Sequence, residues 1–94
     1  MDRVVLALRL QTLDTFLNKI ENTKNEEERM VFALEASEIS DKIMKLTPND
    51  ILSSYEHETL CSKLDFFSLA VFVDNTIWAR ECLNSIKNSS ISYF

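Results

Sequence analysis

Glycine is absent from this chain of 94 residues, and proline occurs once; glycine ordinarily supplies about 7% of a sequence. Loops that cradle phosphates need it, because the backbone must approach the phosphate closely or adopt positive φ. Walker-type, dinucleotide-binding and kinase-type loops are therefore excluded. Tight two-residue hairpin turns also favour glycine, which argues against an all-β fold. A helical bundle needs little of it.

Basic clusters are missing too. Ten Lys and Arg stand against fifteen Asp and Glu, for a net charge of −5. Binding to a phosphate backbone draws on clustered cations. The best grouping, Lys19, Lys24 and Arg29, is interleaved with Glu21 and with Glu26 to Glu28. No direct contact with nucleic acid is expected. The acidic balance mildly suits a basic partner.

Cys61 and Cys82 are the only cysteines, and His57 is the only histidine. Zinc wants four ligands, usually Cys or His paired at short spacing, so no metal site is expected. A di-iron bundle needs Glu-x-x-His twice, and one histidine cannot supply it. His57 and Cys61 are four residues apart and can meet on a helix, which raises a thiol nucleophile with a histidine base. No glycine turn offers an oxyanion hole, and Leu60 and Leu64 beside Cys61 point to a buried, inert thiol. The chain reads as non-enzymatic, with no catalytic residue and no cofactor.

Long apolar runs are likewise absent. The strongest window, Phe66 to Val73, is interrupted only by Ser68 and falls far short of the roughly 20 residues that span a bilayer. Near the amino terminus, the run from Val4 to Leu8 is cut by Arg9, unlike a secretory signal. With two cysteines read as free thiols, a cytoplasmic location is expected, with the nucleus as an alternative.

What the chain does contain is helical periodicity. Leu6, Leu10, Leu13, Leu17 and Ile20 step by four, three, four and three, and so do Phe32, Ala36, Ile39, Ile43 and Leu46. That spacing lays one seam of each helix against a neighbour. The polar break Glu21 to Asn25 between them predicts an antiparallel N-terminal hairpin of two helices, Asp2 to Ile20 and Glu26 to Leu46. Asn22 is expected to take the left-handed conformation that glycine usually supplies. Asn25 is expected to cap the second helix, with Glu28 three residues on in a capping-box pattern. Glu26, Glu27 and Glu28 suit its first turn, where the helix dipole favours negative charge. Met30 reads as core filler.

Thr47-Pro48-Asn49-Asp50 stops that helix and predicts a short extra helix from Pro48. A third helix is expected from Glu56 to Val73, on the seam Leu60, Leu64, Phe67 and Val71; one long helix from Pro48 to Val73 is the alternative. Asp74-Asn75-Thr76 is the next turn and cap. The fourth helix, Thr76 to Lys87, turns Trp78, Ala79, Cys82, Leu83 and Ile86 inward, with Arg80, Glu81 and Asn84 outward. The last pair, through Ala70, a short turn, Trp78-Ala79 and Leu83, loosely resembles a tetratricopeptide-type helix pair. It lacks that repeat's glycine and closing proline, and no functional residue carries over.

The fold class is thus all-α: a small bundle of four main helices, a single helical domain over residues 1–88 and a tail over 89–94. The first and third helices carry apolar residues around more than half their girth, more than a domain this small can hide. That surplus predicts a protein-protein interaction module, such as an adaptor, chaperone or inhibitor subunit, in a homo- or hetero-oligomer. The expected interface residues are Val4, Val5, Leu8, Phe66, Phe72 and Trp78, with Tyr93 and Phe94 from the tail. The competing reading is an acidic regulator that covers the basic face of a nucleic-acid-binding protein. A thiol-dependent enzyme using Cys61 is a remote third.

Overall fold

The computed structural model describes residues 3–46 and 54–88. They form four helices: α1 (Arg3–Asn22), α2 (Glu26–Leu46), α3 (Ser54–Phe72) and α4 (Thr76–Lys87). α2 and α4 have the predicted bounds. α1 runs two residues further, and α3 starts two residues earlier, so that Tyr55 lies inside it. The short helix expected from Pro48, and the choice between one helix and two from Pro48 to Val73, fall on residues 47–53, outside the described residues.

α1 packs on α2, α2 on α3, α3 on α4 and α4 back on α1, closing a ring around one core. The first seam is fully buried from Leu6 to Ile20, and so are Leu64 and Phe67 of the third; Leu60 and Val71 are nearly so. Ala79, Leu83 and Ile86 complete the core from α4. The second seam is looser: Ala36 and Ile43 are buried, while Phe32 and Ile39 only pack against the core. Ser40 shares the buried face of α2. No helix among the described residues is long and apolar enough to cross a membrane.

The two short links show how helices end without glycine. Asn25 Oδ1 accepts the amides of Glu27 at 2.9 Å and Glu28 at 3.1 Å, so Asn25 caps α2 as its sequence predicts. The left-handed residue is not Asn22 but Asp74, at φ 59°. Asn22 remains helical and turns its side-chain amide back to the Asn18 carbonyl, at 2.8 Å. After α3, the Asn75 amide donates to the Ala70 carbonyl and the Asp74 amide to that of Val71. That pair of bonds is the Schellman pattern, with Asp74 where glycine is commonest. Asn75 then caps α4 by accepting the Trp78 amide at 3.0 Å.

Candidate protein-binding surface

Arg29 buckles the two links together. Its Nη1 donates to the Ile20 carbonyl at 2.8 Å and the Thr23 carbonyl at 3.0 Å. Its Nη2 and Nε hold the Asp74 carboxylate at 2.6 and 3.2 Å. One guanidinium thus satisfies the end of α1 and anchors the left-handed residue that ends α3. Both links lie at the same end of the bundle.

Beside this buckle, α2 and α3 leave an open groove of 510 Å³. Met30, Ala33 and Leu34 form its α2 wall, followed by Ser37, and Val71 and Phe72 form its α3 wall. Glu26, Arg29 and Asp74 close one end. Groove-lining positions on α2 run from Glu26 to Ser37, about three helical turns or roughly 17 Å. Met30 is 67% exposed and Leu34 52%, which corrects the core-filling role expected of Met30.

The apolar surface continues across α3. Phe72 is 76% exposed, and the exposed Leu69 and Phe66 precede it at intervals of three on the same side of the helix. Phe66 packs on Trp78, with ring centroids 6.1 Å apart. Ile77 and Val73 are exposed beside this pair. The band therefore runs from α2 over α3 to the start of α4. Phe66 and Phe72, two of the residues expected at an interface, are exposed within it. Trp78 is half-buried and packs against the core.

The other expected residues lie elsewhere. Lys87, at the end of α4, pairs with Asp14 of α1, and Arg80 with Glu21. α4 therefore runs alongside the second half of α1 and stops there. Val4 and Leu8 extend past it and are exposed, while Val5 is half-buried. At 1.5 Å per residue, Val4 sits roughly 25 Å along α1 from the level of Glu21, so it forms no single patch with Phe66 and Phe72. Tyr93 and Phe94 lie outside the described residues.

One polar reading also changes. Arg80, expected to face outward, is half-buried against α1. Arg80 donates to the Asp14 carboxylate, to Asn18 Oδ1 at 2.8 Å and to Glu21 Oε1 at 2.6 Å. Lys87 adds a 2.8 Å bond to Asp14. Burial alone pushes the Asp14 carboxyl up, but the hydrogen bonds from Lys87 and Arg80 outweigh it and hold it below the usual carboxylate range. The signal was present as spacing: Asp14, Asn18 and Glu21 step by four and three, and Arg80 and Lys87 by seven. What sequence lacked was the knowledge that these two stripes face each other.

Both cysteines are half-buried free thiols rather than fully buried ones. Cys61 Sγ lies 3.7 Å from His57 Nδ1. Burial, and then the nearby Asp65 carboxylate, push the Cys61 thiol up, away from the thiolate that a nucleophile requires. Among the described residues, no group of three or more His, Cys, Asp or Glu side chains is placed to hold a metal.

The chain matches no protein-family profile, no curated protein and no solved structure.

Proposed function

We propose that this protein is a non-enzymatic protein-interaction module, an adaptor, chaperone or inhibitor subunit that seats a helix of another protein on its α2–α3 face. The observation that carries the reading is the groove between Met30, Leu34 and Phe72, continued over Leu69 to Phe66. Isolated exposed apolar residues are ordinary, but a contiguous apolar band with a concave centre marks an interaction site. A groove about three turns long matches the length over which an amphipathic helix presents anchors at i, i+3 or i+4, and i+7. The three-residue link Thr23 to Asn25 and the Phe16–Phe32 ring pair at 6.4 Å support the antiparallel α1–α2 hairpin as the rigid base behind this face. The raised Cys61 thiol supports a role without covalent chemistry.

The test is affinity capture from a native extract, using the wild-type chain and Leu34→Lys side by side. A protein retained by the first and lost from the second, with helical circular dichroism unchanged, supports the reading. A monomer that retains nothing in either form overturns it. Cys61→Ser is expected to leave biological activity intact. The acidic-regulator reading draws on Glu26, Glu27 and Glu28, all exposed on the first turn of α2. Capture that survives raised salt favours the groove, and capture that collapses favours charge.

A further inference from the structure

Resting on that reading, we infer that the occupant of the α2–α3 groove is a basic amphipathic helix, whose apolar side chains fill the space between Met30, Leu34 and Phe72 and whose Lys or Arg residues meet Glu26 at the groove's end. The argument is one of unbalanced charge beside apolar surface. Arg29 is the one cation among the described groove-lining residues, and it is fully committed: it holds Asp74 and the carbonyls of Ile20 and Thr23. Glu26 lines the groove beside it, and Glu27 and Glu28 follow on the same turn. No cation pairs with these three among the described residues. Asp74 is matched by Arg29, which leaves Glu26 as the unmatched charge of the lining; the amino-terminal dipole of α2 offsets only about half a charge, so that end of the groove is left negative. An acidic or neutral helix gains the apolar contacts alone, whereas a basic one gains them together with a complementary field that orients it and speeds its docking. A like-charged helix meets repulsion at the same place.

The probe is a pair of synthetic amphipathic peptides about 18 residues long, enough to be helical. Each carries leucines at i, i+4, i+7 and i+11. One carries lysines at its end and the other glutamates. Binding to the full chain is read by fluorescence anisotropy at about 0.05 M and about 0.5 M salt. The lysine peptide is expected to bind at least about tenfold more tightly at low salt, with most of that preference lost at high salt. Replacing Glu26, Glu27 and Glu28 together by Gln is expected to flatten the preference, while Leu34→Lys weakens both peptides. Phe72→Lys repeats the second arm should Leu34→Lys unfold, with circular dichroism as the check. Equal binding of both peptides, abolished by Leu34→Lys, overturns the basic occupant and leaves the groove reading standing. No binding of either peptide overturns both. A wild-type chain that sediments as a dimer dissociated by Leu34→Lys puts a second copy in the groove and overturns the inference.

Discussion

Asp74 shows the cost of building turns without glycine. A left-handed residue with a Cβ is disfavoured by roughly 1–2 kcal/mol, and the Arg29 ion pair offsets part of that. Asp74 is more than half exposed, so the pair is worth less than about 1 kcal/mol after solvent screening. Asp74→Ala loses the pair and keeps the strain. Asp74→Gly loses the pair and relieves it. The two variants are expected to differ by about 1 kcal/mol in favour of glycine, read from urea midpoints. Ser40 is the opposite case, because its Oγ is buried with no hydrogen-bond partner among the described residues. An unsatisfied buried hydroxyl costs about 1–3 kcal/mol. Ser40→Ala is expected to raise stability by about 1 kcal/mol, and a lower urea midpoint would refute that account. Phe67 is the largest fully buried side chain among the described residues, and Phe67→Ala is expected to cost about 3–5 kcal/mol in the same measurement.

Between elements, α4 is the shortest of the helices among the described residues, and a polar tie holds it to α1. Asp14, held by Arg80 and Lys87, has a carboxyl below its ordinary range. A carboxyl lowered in the folded state stabilises the fold fully above its unfolded value near pH 4. That contribution is lost as pH falls through the folded value. Wild type is therefore expected to lose stability below about pH 4 more steeply than Asp14→Asn. Thermal melts across that window check it, and parallel slopes would remove Asp14 from the account. At the same end as the Arg29 buckle, Lys19 lies over both the Phe16 and Phe32 rings, at 4.9 and 5.6 Å. These contacts seat α1 and α2 against each other beneath the groove.

At the scale of the molecule, the apolar surplus is a matter of which side chains occupy the surface of the described residues. It is concentrated on α2, α3 and the start of α4, with Val4 and Leu8 set apart. A hydrophobic dye such as ANS is expected to bind the native wild-type chain, and Leu34→Lys with Phe72→Lys to reduce that binding by more than half. Unchanged dye binding would place the exposed surface elsewhere.

Seams such as Leu6 to Ile20 were legible in the residues alone, because a step of four and three can satisfy only one face of a helix. Caps such as Asn25 were equally legible, since a cap bonds to amides two and three residues away. The all-helical class, the four main helices and most of their boundaries follow from such local rules. The groove did not, because Met30 reads as core filler and no local rule says that the neighbouring helix leaves it and Leu34 uncovered. Nor did the Arg80 clamp, which joins side chains 59 to 66 positions apart. Periodicity names the face a helix turns away from water, but only the packed bundle decides how far each neighbour extends to cover it, and α4 stops short while α2 and α3 part.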